Sequence, residues 1–358
     1  MKITNNTPFS VQAFPSYGPG DKPTLTVIVK GTFDINPEHP AVTSQEQLPV
    51  EFGDQLFDPD NGGSIKFESD LVPFKPRADI LLIGRAYSPG GQPTETVDVC
   101  LSVGEITKRL RVIGDRHWTC MGKMLPVVMS HPEPFTTMDL VYEKSYGGID
   151  MQGGDFCREN LVGRGFVTKK SRDNLDSKPL PNIEDPQCLI RSWDDRPKPA
   201  GFGVIGKSWE PRKNMIGTYD SKWQTERAPR PPSDFKFDFY NAAHPDLQVN
   251  GYFRGDETVD LLNLTPDGML SFKLPGLMIG CTVLKSDELM NLDISGPATA
   301  IPELNIEAAT FNETVAMNPD TLCLLPDENR FYMVWRGICP LFNPAALEVK
   351  DIFINFLN

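Results

Sequence analysis

The residues that most invite a chemical reading are Gly201-Phe202-Gly203-Val204-Ile205-Gly206, which spell G-x-G-x-x-G with Asp220 downstream. In a dinucleotide site such glycines follow a strand and open a helix, whose N–H groups hold the pyrophosphate. Here the approach is Arg196-Pro197-Lys198-Pro199-Ala200 and Pro211 follows shortly, so neither element fits and a plain loop is expected. Asp58-Pro59-Asp60-Asn61-Gly62-Gly63 begins like a calcium loop. An EF-hand needs Asp or Asn fifth and Glu twelfth, where this chain has Gly62 and Ser69, so a tight turn is expected. Arg254-Gly255-Asp256 reads as another turn. His39, His131 and His244 each precede a Pro, and His117 lies in Gly114-Asp115-Arg116-His117-Trp118. None forms H-E-x-x-H or stands at zinc spacing from a Cys. The G-x-S-x-G elbow and the Walker A loop are absent. The expectation is therefore no catalytic set, no metal and no cofactor. A glycosidase pair could still hide among the 48 Asp and Glu, because such carboxylates meet only in space.

The elements that must position any site read mostly as β. Leu25–Ile35 is rich in Val, Ile, Thr and Phe, and Pro23 and Pro37 bound it. Ser64–Leu71 alternates, with Ile65 and Phe67 on one face and Lys66 and Glu68 on the other. Asp79–Tyr87 looks like one buried run, ended by Ser88-Pro89-Gly90-Gly91. Three hairpins are expected: Val97–Val103 with Ile106–Ile113, Val259–Leu264 with Met269–Leu274, and Thr321–Leu325 with Arg330–Ile338. Between Met151 and Asn250 periodicity fails, yet ten Pro and three of the five Trp lie there. That stretch reads as long ordered loops pinned by aromatics. Ser286–Asn291 suggests a helical turn or two, and Ala345–Phe356 is ambiguous.

With 358 residues, 39% of them hydrophobic, the chain can bury a large core. Its 33 Pro are nearly double the usual ~5%, which favours loops over long helices. The expected fold is mainly β, an antiparallel, β-rich single unit over 1–358. A β region over 1–150 and another over 251–358 flank the loop-rich centre. The net charge of −13, with no basic run beyond Lys169–Lys170 and nearby Arg172, argues against nucleic acid and anionic membrane as partners. Met1–Asn6 lacks a signal peptide's apolar core, and no stretch approaches ~18 apolar residues. Seven widely spaced Cys without C-x-x-C read as buried hydrophobes in a reducing, cytoplasmic setting.

Charged turn-and-aromatic clusters remain: Glu68–Pro76 around Phe74-Lys75, Pro132–Phe135, Tyr142–Gly148, Asn160–Phe166 and Leu180–Pro186. Rigid loops bearing Trp, Tyr and Arg suit a protein-contact surface, although for any one such residue the fastening of loops to a sheet is the commoner role. These clusters also carry a resemblance. FESDLVPFKPRADILLIGRAYSPGGQP (67–93), YEKSYGGID (142–150), NLVGRGF (160–166) and LPNIEDP (180–186) belong to it. So do DRPKPAGFGVIGKSWEPRKNMIGTYDSKW (195–223), GDETVDLLNLTPDGMLSFKLPG (255–276) and PDTLCLLPDENRFYMVWRG (319–337). Together they resemble a bacterial domain-of-unknown-function family whose members are effector-loading adaptors, or chaperones, of the type VI secretion system. The similarity runs in order over roughly residues 9–340 and is weakest over 277–318.

The resemblance implies a non-enzymatic protein of the cytoplasm. It would hold a toxic effector, through a PAAR or PAAR-like region, and mount it on the VgrG spike. It brings no catalytic residues. The expected contact residues are Phe74, Lys75, Arg164, Trp193, Arg196, Trp209, Arg212, Tyr219 and Trp223, as aromatic anchors and charge-assisted donors. The alternative is a carbohydrate-binding or carbohydrate-active β protein, marked by paired carboxylates in an aromatic cleft. A third reading is a structural part of the secretion machine.

Overall fold

Runs of β-branched and aromatic residues, cut by Pro and Gly, leave little room for helix, and in the computed structural model the chain is mainly β. The structure describes residues 1–37, 40–60, 62–120, 126–286, 310–342, 344–346 and 348–357. Its principal strands are β1 (Lys2–Asn5), β2 (Ser10–Tyr17), β3 (Pro23–Asp34), β4 (Ala78–Leu82), β5 (Thr96–Val103), β6 (Ile106–Ile113) and β7 (Thr258–Leu262). They continue with β8 (Met269–Lys273), β9 (Ile279–Ser286), β10 (Thr310–Ala316), β11 (Asn318–Leu325), β12 (Arg330–Pro340) and β13 (Val349–Phe356). Among the described residues one segment is α-helical, α1 (Ser221–Glu226), where the Asp220 carboxylate accepts from the Trp223 N–H as an N-cap.

The largest sheet runs Gln248–Val249, β4, β11, β12, β3, β2, with Val42–Thr43 beside β3. Its centre is covered on both faces. Every residue from Thr24 to Phe33 is buried, so β3 is a continuously buried strand rather than an alternating one, with Lys30 and three Thr among its apolar residues. Pro15 lies mid-strand in β2, which is possible because β2 is an edge strand. A second sheet runs Ile183–Glu184, β6, β5, β7, β8; its strands alternate buried and exposed residues, as expected when one face meets water. The third runs β1, β13, β9, β10.

All three sheets feed one continuous core. At its heart Phe9 stacks on Trp335 at 5.8 Å, and Phe33 meets Phe331 at 5.3 Å. Gly31 explains how Phe9 enters: a Cβ there would lie 2.9 Å from the Phe9 ring, so only glycine lets the ring cross β3.

The three expected hairpins form, closing at Val103↔Ile106, Leu262↔Met269 and Leu325↔Arg330. The last uses Asn329 at φ 51°, a left-handed position that Asn tolerates. Three expectations change. The run 79–87 is two strands, β4 and Arg85–Tyr87, because the chain leaves the large sheet at Ile83-Gly84 and Arg85–Tyr87 pairs with Thr137–Asp139. Of Ser64–Leu71 only Ile65–Phe67 is strand, paired with Gln55–Leu56. The ambiguous C-terminal stretch forms β13. Not every pairing is antiparallel: β4 with β11 and β1 with β13 are parallel. The helical turn expected at 286–291 falls on Ser286, the last residue of β9, and on residues outside those described, as does His39.

Candidate functional site

The central stretch 151–250 holds only two-residue strands, short 3-10 turns and α1, and packing fixes it in place. A satellite core of Trp118, Tyr146, Cys157, Val167, Leu175, Leu180 and Ile190 anchors its first half. There Trp193 is half-buried with the Arg172 guanidinium 6.0 Å over its ring. Arg196 lies against Phe166 and donates to the carbonyls of Trp193, Asp195 and Val167. Arg164 Nε donates to the Glu143 carbonyl at 2.9 Å. These three residues therefore fasten loops.

Three other expected contact residues, Trp209, Arg212 and Lys75, are internal. Trp209 is 4% exposed and sits edge-on to Tyr142 at 5.4 Å. Arg212, 2% exposed, donates to the carbonyls of Phe239 and Ile205 and to the Glu68 carboxylate at 2.6 Å. Burial removes these two from the contact surface, because Tyr142 packs on Trp209 and Glu68 pairs with Arg212, which their sequence neighbours do not announce. The glycines of 201–206 serve the same packing. A Cβ at Gly201 would lie 2.9 Å from the Tyr142 ring, and one at Gly206 2.9 Å from the Trp209 indole. As expected, this is a loop with no strand before it and no helix after it.

Beyond Arg212 the chain forms an arm, residues 212–240. Its base is an aromatic cluster in which Phe235 contacts Phe237, Phe239 and Tyr240 at 5.3–5.8 Å. Phe237 also meets Phe74 at 5.6 Å, which ties the arm to the Phe74-Lys75 loop. At the outer end Tyr219 is 53% exposed and stands edge-on to Trp223 at 4.6 Å. Trp223 is oriented by donating Nε1–H to the Arg230 carbonyl. Beside them lies a cleft of about 330 Å³ with Asp220, Lys222, Glu226, Arg227 and Asp234 on its rim. Two of its carboxylates are committed. Asp220 caps α1, and Asp234 accepts from the Thr218 N–H and hydroxyl, bonds that hold its carboxyl below the usual range. A glycosidase acid requires the opposite displacement.

The Phe74-Lys75 loop borders a smaller cavity of about 150 Å³. Lys75 is 5% exposed, and its Nζ contacts Asp79 at 2.7 Å and Thr321 Oγ1 at 2.9 Å. Its partners come from sheet register. The parallel β4–β11 pairing sets Thr321 beside Asp79, and the β11–β12 pairing sets Asn318 opposite Arg336. Between Pro319 and Thr321 the register shifts, leaving Asp320 as a bulged residue whose carboxylate meets Arg336 Nε at 2.6 Å. Asp320 and Arg336 were not foreseen, since their proximity to Lys75 depends on pairing across some 250 residues. The available signal is a charge inside an apolar strand, as in Met333-Val334-Trp335-Arg336.

Elsewhere buried ion pairs are structural: Lys30 with Asp70 at 2.8 Å, and Arg116 with Glu184. Among the described residues no group of three or more His, Cys, Asp or Glu is placed to hold a metal. No helix of the described chain is long and apolar enough to cross a membrane.

A sequence model of the bacterial family described as an uncharacterized protein conserved in bacteria, DUF2169, matches residues 20–336. No curated protein and no solved structure matches the chain. The match spans most of the sequence, and the chain belongs to this family.

Proposed function

We propose that this member of the family is a non-enzymatic adaptor. It binds a type VI secretion effector in the cytoplasm, through the effector's PAAR or PAAR-like region, and promotes loading onto the VgrG spike. The observation that carries the reading is the arm, where exposed Tyr219 stands edge-on to half-buried Trp223 beside a charged-rim cleft, with an aromatic cluster at its base. Aromatic anchors inside a polar rim are the composition of a protein-contact hot spot, and a fixed base limits the entropy lost on binding. The partner's identity rests on the resemblance of the segments between 67 and 337 to effector-loading adaptors.

This reading is favoured over carbohydrate chemistry because two of the three acids beside Trp223, Asp220 and Asp234, are spent on backbone and hydroxyl donors. The test is co-expression of the chain with the effector encoded beside it, followed by size exclusion. Co-elution is expected, and Tyr219→Ala is expected to weaken it by about 2 kcal/mol, the scale of a hot-spot truncation. Independent elution of the two proteins contradicts the proposal.

A further inference from the structure

The cleft beside Trp223 carries negative charge that nothing in it balances. Asp220, Glu226 and Asp234 line it against Lys222 and Arg227, and Arg227 is already held by Asp21, outside the lining, at 2.7 Å. A ligand therefore meets three carboxylates and one uncommitted cation. Asp220 accepts from the Trp223 N–H, and Asp234 from the Thr218 N–H and hydroxyl, all of them neutral donors. An ionised carboxylate has about four acceptor sites, so both acids keep their charge and acceptors to spare. Glu226 and Lys222 are exposed and make no hydrogen bond or ion pair among the described residues. Trp223 and Pro232 supply the apolar part of the lining, and the indole is fixed by its Nε1–H bond to the Arg230 carbonyl at 2.9 Å. Tyr219, edge-on to Trp223, extends that aromatic surface.

We propose that this cleft receives an arginine side chain of a bound protein. A guanidinium stacks its flat faces on an aromatic ring while its edge forks onto carboxylates, and the lining offers both. A volume of about 330 Å³ holds roughly eleven heavy atoms at ~30 Å³ per water-sized unit, room for the about seven of an arginine side chain. That the bound protein is a secretion effector rests on the adaptor reading above. The cleft's preference for a guanidinium does not.

Titration of the purified full chain at fixed ionic strength tests it with N-acetyl-arginine amide, its lysine analogue, and the neutral isostere N-acetyl-citrulline amide. The readout is the Trp223 indole N–H signal by NMR, assigned by its loss in Trp223→Phe. Arginine amide should bind and shift that signal with at least about tenfold preference over citrulline amide, and more tightly than lysine amide. Glu226→Lys reverses a charge without breaking an internal contact among the described residues. It should weaken arginine amide at least about fivefold while the melting transition stays cooperative. Asp234→Asn, which keeps an acceptor for Thr218, should also weaken it. Citrulline or lysine amide binding as well as arginine amide, no shift with any of the three, or undiminished binding by both variants overturns the proposal. No effector is present in this assay. Arginine binding without co-elution therefore refutes only the adaptor reading, and co-elution without arginine binding refutes only the assignment of this cleft.

Discussion

His244 should make the stability of this protein fall steeply in mild acid. Its side chain is 17% exposed, and Nδ1 faces two donors, Lys108 Nζ at 3.1 Å and the Asp246 N–H at 3.2 Å. Nδ1 must therefore be an acceptor, with the ring proton on Nε2. Protonation would set an N–H against an ammonium inside the fold. Burial first, and the Lys108 charge second, lower the pKa from 6.5 to about 4, with Lys198 adding to this and the Asp246 and Asp185 carboxylates opposing it. A group whose pKa is depressed by folding stabilises fully above its unfolded pKa and loses that stabilisation as pH falls toward its folded pKa. Between pH 7.5 and 5 the loss is about 2 kcal/mol, rising to about 3 at pH 4. Urea unfolding of the wild type and His244→Gln at several pH values isolates it, because glutamine keeps an acceptor and cannot titrate. The wild type should lose about 2 kcal/mol more than the variant between pH 7.5 and 5. Parallel pH profiles, or an imidazole titrating near 6.5 by NMR, would refute the reasoning.

Other consequences concern the core. Lys30 and Asp70 form a pair at 2.8 Å with side chains 1% and 8% exposed, so Asp70→Asn should cost about 3–5 kcal/mol in denaturant unfolding by stranding a buried ammonium. Adding Lys30→Met should recover at least half of that loss; no recovery contradicts the pair's assignment. Trp335, 1% exposed and stacked on Phe9, should cost about 3–5 kcal/mol as Trp335→Ala, measured in the same way. Gly114→Ala should destabilise by at least ~1–3 kcal/mol, because its Cβ would sit 1.8 Å from the Glu133 carbonyl oxygen. An unchanged melting temperature would remove that contact from the account.

Local chemistry was legible in the sequence where it is local in the fold. Gly104-Glu105 and Pro326–Asn329 fix hairpins through turn geometry alone, and Pro199 and Pro211 rule out the elements a nucleotide loop needs. Sheet order was not legible, since nothing in Ala78–Leu82 announces a parallel partner at Thr321–Leu324. The same limit applies to the sites. Of the expected contact residues, Tyr219 is exposed and Trp223 half-buried beside it, because their local turn brings no distant element over them. Trp209 and Arg212 looked equally suitable, yet Tyr142 and Glu68 bury them. The cavity at Lys75 was half seen: the proline-bracketed Phe74-Lys75 loop stands out, whereas Asp320 and Arg336 join it only through a bulge and strand register.

The central claim is effector loading, and secretion measures it most directly. With this chain deleted in its own host, the neighbouring effector should vanish from the secreted fraction while VgrG is still exported. In the intact strain this protein should stay in the cell. Effector secretion at the wild-type level in the deletion strain, or export of this chain together with the spike, would contradict the account.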